Sequence, residues 1–98
     1  MTLPRISLCT CTYNDAALAD GLLAATARWD VRPGEIVVCD DGSDPPYAPG
    51  DGLPEVRVVR HDRNRGITRA KHDVLSAATG EILVLMTELS ILKKSLKN

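Results

Sequence analysis

The sequence predicts an α/β domain built on a mostly parallel, Rossmann-like sheet of about four strands with helices packed against it. Three observations carry that prediction. Four short apolar runs, ending near residues 12, 39, 60 and 86, are separated by two stretches of helical periodicity and one Pro/Gly-rich loop. Each run passes directly into a cluster of polar and charged residues. No apolar run exceeds the five residues from Ile82 to Met86, far below the roughly 20 that a membrane-spanning helix needs.

The elements follow in order. Ile6 to Thr12 is almost continuously small or apolar and holds neither Pro nor Gly, which suits a strand buried on both faces. Asn14 or Asp15 then offers a helix N-cap, and Leu18, Leu22, Leu23, Ala25 and Trp29 follow at helical spacing, with Asp20 and Arg28 on the wet side. Pro33-Gly34 ends that helix, and Glu35 to Cys39 forms the second strand. From Asp40 to Glu55 the chain carries Pro45, Pro46, Pro49 and Pro54 with Gly42, Gly50 and Gly52, a composition that excludes a long helix. Val56 to Arg60 is a third strand, placed near a sheet edge because its arginines need water. Ile67 to Ala78 is the second helix, with Gly80 as its left-handed stop, and Glu81 to Met86 is the fourth strand. This alternation calls for right-handed crossovers.

Composition narrows the function. The 98 residues are 44% apolar, and 12 Lys+Arg against 13 Asp+Glu give a formal charge of −1, so one small domain is expected. There is no Phe, and Trp29, Tyr13 and Tyr47 are the only aromatics, so Leu, Val, Ile and Ala must build the core. The N-terminus lacks a secretory signal, and a cytoplasmic location is the default expectation. Cys9, Cys11 and Cys39 are an odd number, without a fourth metal ligand, and are expected as small buried hydrophobes. Arg57, Arg60, Arg63, Arg65, Arg69 and Lys71 make the stretch from Arg57 to His72 basic, but an acidic loop precedes it and few aromatics are available for stacking. Nucleic acid is not expected as a partner.

In an open parallel sheet, ligands bind beyond the carboxyl ends of the strands. The residues there are Thr12-Tyr13-Asn14-Asp15, Asp40-Asp41-Gly42-Ser43, His61 to Gly66, and Thr87-Glu88. A dinucleotide fold would need a glycine fingerprint after the first strand, and none is present. Asp40 and Asp41 suit hydrogen bonding to a base or ribose, or a hard cation, while Asp-Gly-Ser is equally good turn chemistry. Tyr13 suits stacking on a base or covering the core. His61 and His72 are expected as solvated side chains rather than general bases.

Four segments occur in one order: Thr12-Tyr13-Asn14-Asp15, then Glu35 through Cys39 into Asp40-Asp41-Gly42-Ser43-Asp44, then Asn64-Arg65-Gly66, then Ala77-Ala78-Thr79-Gly80-Glu81-Ile82. This pattern resembles the start of a family 2 glycosyltransferase, the GT-A enzymes that use nucleotide-sugars. The resemblance implies that Thr12, Tyr13 and Asp41 bind the nucleotide, with Asp40 supporting the turn. Where the family has an Ala-Arg-Asn segment this chain has Ala70-Lys71-His72, so Lys71 keeps the cation near the nucleotide-sugar but loses arginine's fork. The family's fourth strand runs into an Asp-x-Asp element that holds Mg2+ or Mn2+, the cofactor expected for the intact enzyme. Here the run is Leu85-Met86-Thr87-Glu88-Leu89; both aspartates are missing and only Glu88 approaches the position.

On this resemblance residues 1–86 are the nucleotide-sugar-binding half of a truncated GT-A domain, and residues 87–98 are a helical tail outside the family pattern. The expected function is glycosyl transfer, represented by its donor-binding half and inactive alone, with a UDP-sugar as first ligand and no catalytic residue assigned. A non-catalytic nucleotide-binding or interaction module is the alternative. A homo-oligomer through the fourth strand or the tail is expected, because both present apolar surface.

Overall fold

The computed structural model describes residues 4–30 and 32–86. In chain order they form β1 (Ile6–Thr12), α1 (Ala16–Ala25), a 3-10 turn (Thr26–Arg28), β2 (Glu35–Asp40), β3 (Arg57–Arg60), α2 (Ile67–Ala77) and β4 (Ile82–Leu85). All four strands are parallel, in the order β3-β2-β1-β4. The expected parallel α/β architecture is therefore the observed one, with β3 at an edge as its arginines require.

Side-chain alternation along β1 and β2 divides the core into two layers. On one face Leu8, Ile36 and Val38 pack with Ala19 and Leu23 of α1 and with Tyr47. On the other, Cys9, Val37 and Cys39 pack with Ala70 and Val74 of α2, and Cys11 joins them partly buried. The two helices thus cover opposite faces, and the central strands are apolar on both sides as a doubly covered parallel sheet demands. All three cysteines are free, and Cys9 and Cys39 are buried as expected.

Asp15 is the cap of α1, its carboxylate accepting the Leu18 N–H at 3.1 Å. Two expectations need correction. Trp29 does not extend the apolar face of α1, because the helix tightens to a 3-10 turn after Ala25 and Trp29 lies beyond it in extended backbone, exposed. Gly80 is not a left-handed stop: α2 ends with Ala78 already extended, and Gly80 is not among the glycines of positive φ. A Cβ at Gly80 would stand 2.5 Å from Ser7 Oγ and 2.9 Å from the Arg5 carbonyl, so glycine is needed there for close approach to β1.

The parallel order puts the carboxyl ends of all four strands along one edge of the sheet. From β1 the chain steps to β2 and β3 on one side, then crosses back through α2 to place β4 on the other. The order reverses between β1 and β4, and the crevice of such a sheet opens at that point, outside the strands' carboxyl ends. The Met86 N–H bonds the Cys9 carbonyl and Thr10 Oγ1 bonds the Met86 carbonyl, so β4 is held against β1 up to the last described residue. The tail at 87–98 and Glu88 lie outside the described residues.

Candidate functional site

The site grows from the two aspartates that end β2. Because successive side chains alternate, they serve opposite faces of the sheet and do not act as a pair. Asp40, fully buried, turns toward the α1 side: Oδ1 accepts the Ser43 N–H at 3.0 Å, and Oδ2 accepts the Tyr47 N–H at 2.8 Å and Arg60 Nη1 at 2.5 Å. Burial pushes its carboxyl up, but the bonds from Ser43 and Tyr47 and the Arg60 charge outweigh that and hold it below the usual carboxylate range. Asp40 supports the turn, the role the resemblance implied for it. Tyr47 is buried under this turn, its hydroxyl donating to Asp20 at 2.8 Å.

Asp41 turns the other way and collects the loop between β3 and α2. Its Oδ1 meets His61 Nδ1 at 2.7 Å and accepts the Arg65 N–H at 2.8 Å; its Oδ2 accepts Asn64 Nδ2 and the Gly66 N–H, both at 3.0 Å. A carboxylate has about four acceptor positions, and this chain's own donors fill them. Desolvation raises the Asp41 carboxyl, while the bonds from His61 and from the Arg65 and Gly66 N–H groups outweigh it and hold the group below the usual carboxylate range. The Asp-Asp-Gly-Ser and Asn-Arg-Gly segments, fifth of the chain apart, are therefore halves of one lock. Gly42 sits at φ +78, and a Cβ there would overlap the backbone of Arg63 and Asn64, so its glycine serves both the turn and the close approach.

The loop after β1 is tied in from the other side. The Asp41 N–H donates to the Thr12 carbonyl at 2.9 Å, Ser43 Oγ accepts the Asn14 N–H at 2.9 Å, and the Asp44 N–H donates to Asn14 Oδ1 at 2.9 Å. Asn14 takes positive φ of 52 to do so, a conformation asparagine tolerates. Asn14, Asp15, Ser43, Asp44 and Pro45 line a crease of about 210 Å³ between the loops after β1 and β2.

Of the four residues expected at the site, the structure brings Thr12, Tyr13 and Asp41 to one rim. Thr12 is buried and its hydroxyl donates to the Asp15 carbonyl at 3.2 Å, on the face of the sheet that Asp40 serves. Tyr13 is 50% exposed and free to meet a ligand. Lys71 is half-buried on α2, with no ion pair among the described residues. The Cys11 thiol is lowered first by a hydrogen bond with Cys39 and then, against burial, by the Lys71 charge.

His61 corrects the expectation of a solvated ring: it is 8% exposed, with Nδ1 on Asp41 and Nε2 2.7 Å from Asp73 Oδ2. The signal that would have found it is register. Asp40 and Arg60 are partners across β2 and β3, so His61 must stand beside Asp41. His72 is exposed as expected, against Asp73 Oδ1 at 3.1 Å.

The residues described do not fit a divalent cation. The Asp40 and Asp41 oxygens are spent on protein donors, and no group of three or more His, Cys, Asp or Glu converges among the described residues.

A family model of glycosyl transferase family 2 matches residues 7–88, covering both halves of this lock. The chain belongs to glycosyl transferase family 2. Its fold is the GT-A fold: among 26 matching solved chains is the mannosyltransferase PcManGT from Pyrobaculum calidifontis, in complex with GDP-Man and Mn2+. That protein is 26% identical with a TM-score of 0.59, over 85% of this family 2 chain and 27% of its own length. No curated protein sequence matches the chain. No helix among the described residues is long and apolar enough to cross a membrane.

Proposed function

We propose that this chain is the part of a family 2 glycosyltransferase that holds the nucleotide-sugar, with Thr12, Tyr13, Asp41 and Lys71 around the nucleotide. The observation that carries the reading is the convergence on Asp41 and its neighbours of the loops after β1, β2 and β3, each bearing one motif. Tyr13 offers an exposed ring for the base, and Lys71 a cation for the diphosphate. Thr12 and Asp41 frame the site; with its acceptor positions filled, Asp41 acts through the turn it holds. The GDP-Man and Mn2+ in the matching mannosyltransferase support a nucleoside diphosphate sugar as the ligand class. UDP is the first nucleotide to test and GDP the second.

The same reading expects no sugar transfer by these 98 residues as they stand, because Leu85-Met86-Thr87-Glu88-Leu89 stands where the family places Asp-x-Asp. It also expects self-association through β4, an edge strand among the described residues, on which Ile82 and Leu83 are each 44% exposed. Three free thiols, two of them buried, support a reducing, cytoplasmic location.

Calorimetric titration with UDP and GDP tests the ligand. Asp41→Ala should weaken binding by about tenfold or more, the effect of removing a charged hydrogen-bonding centre, and Asp51→Ala, in the exposed loop, should leave it unchanged. Equal effects of the two substitutions, or no binding at millimolar nucleotide, would remove the assignment.

A further inference from the structure

We propose that His61, as a doubly protonated imidazolium, is a positioning residue that holds Asp41 and, through it, the Asn64–Gly66 turn at the strand ends. The argument is geometric. Both ring nitrogens lie 2.7 Å from a carboxylate oxygen, Nδ1 from Asp41 Oδ1 and Nε2 from Asp73 Oδ2. A neutral imidazole has one N–H and one lone pair, so it can satisfy only one of these contacts. In the imidazolium both nitrogens donate. Loss of either proton sets a lone pair against a carboxylate oxygen, and one side of the clamp must open.

Asp41 cannot move alone. The Arg65 and Gly66 N–H groups and Asn64 Nδ2 all end on it, and Gly66 is the residue from which α2 starts. The charged and titratable groups around the ring come from two elements. From β2 and its end come Asp41 and the Cys39 thiol, 3.7 Å from Nε2. From α2 comes Asp73, whose Oδ2 also accepts Arg69 Nε at 3.1 Å and whose Oδ1 meets His72 Nδ1. Arg69 and His72 therefore bear on Asp73 rather than on the ring. The hydrogen bond to Asp41 raises the His61 pKa, burial opposes it, and the bond to Asp73 adds to the rise. A folded-state pKa above the unfolded one means that the clamp's contribution is complete below the unfolded value and is lost as pH rises through the folded value.

The consequence for nucleotide binding rests on the nucleotide-site reading above; the consequence for the turn does not, and the two are measured separately. Nitrogen-detected NMR of the imidazole rings between about pH 5 and about pH 10 follows His61, with the same ring in the urea-unfolded chain as the control. The expected result is a His61 ring protonated on both nitrogens at neutral pH, titrating above its midpoint in the unfolded chain, with the Arg65 and Gly66 amide proton shifts following the same folded-state midpoint. Asp73→Asn removes one facing anion without touching Asp41 and should lower that common midpoint by about one pH unit, a change that a merely structural side chain would not produce. His61→Gln cannot bridge both carboxylates and should abolish the transition in the two amides. Nucleotide affinity, measured where the diphosphate is already fully ionised, should fall by about tenfold across the same midpoint, and the fall should move with Asp73→Asn. A His61 ring that titrates no higher than in the unfolded chain, amides that ignore its titration, or an unshifted midpoint in Asp73→Asn would overturn the proposal. Absence of nucleotide binding at every pH would overturn the nucleotide-site reading and the coupling to it, while the ring and amide titrations still decide the role of His61 in the turn.

Discussion

Replacing Asp40 by asparagine should be among the most damaging single changes in the chain, although the two side chains have nearly the same shape. The carboxylate has no solvent exposure and takes three donors: the Ser43 N–H at 3.0 Å, the Tyr47 N–H at 2.8 Å and Arg60 Nη1 at 2.5 Å. An amide keeps one acceptor oxygen and turns its NH2 toward a donor, so at least one buried N–H is left unpaired beside a new donor. A charged hydrogen bond contributes about 1.5–3 kcal/mol and an orphaned buried group costs about 1–3; since these terms are not additive, the expected loss is about 2–4 kcal/mol. Against a total of roughly 5–15 kcal/mol for a domain of this size, that is a large fraction. Arg60→Gln removes the same ion pair from its other end, but the arginine side chain is 39% exposed, so the loss there should be no more than about 1 kcal/mol. Urea unfolding at neutral pH reads both: with a slope of about 1–3 kcal/mol per molar, Asp40→Asn should lower the midpoint by roughly a molar or more and Arg60→Gln by much less. A loss below about 0.5 kcal/mol for Asp40→Asn, or equal losses for the two variants, would show that the buried carboxylate does not organise the turn through its backbone donors.

Three further outcomes are expected. Gly42→Ala forces a Cβ into left-handed backbone and into the Arg63–Asn64 peptide, and should cost about 3 kcal/mol, against about 1 for Gly52→Ala, which shares a positive φ of 80 but faces open space; paired urea midpoints check it. Glu35 is held down to about 2 by the Ser7 hydroxyl and then the Thr79 N–H. Its folded pKa lies below the unfolded one, so its contribution is present above about pH 4.3 and lost as pH falls toward 2. Glu35→Gln should thus show a shallower loss of stability in acid than the parent chain when melts are compared across that range. Leu83→Lys on the exposed edge of β4 should shift sedimentation at tens of micromolar toward monomer; an unchanged monomer in both proteins would show that the edge does not pair.

Much of this was legible in one dimension because it depends on neighbours along the chain. The small or apolar run at Ile6–Thr12 and the apolar run at Ile36–Cys39 dictate central strands, Asp15 caps the helix after the first of them, and the Gly42 turn is written in Asp-Asp-Gly-Ser. The order of motifs also pointed to the family, since each motif is a short local signature. What the sequence left open depends on groups far apart in the chain. Adjacent aspartates read as a pair in one dimension, yet the alternation of a strand sends Asp40 to Tyr47 and Arg60 and Asp41 to His61 and Gly66. His61 read as a solvated side chain because nothing beside it in sequence buries it; the parallel register of β2 with β3, and the crossing of α2 above them, deliver Asp41 and Asp73 to its two nitrogens. Gly80 read as a helix stop, but its lack of a Cβ answers to Ser7, on a strand at the other end of the chain. Local periodicity determines which segments become strands and helices; only their packing brings each carboxylate to its donors, because a hydrogen bond is chosen by distance in space and carries no mark in the sequence between its partners.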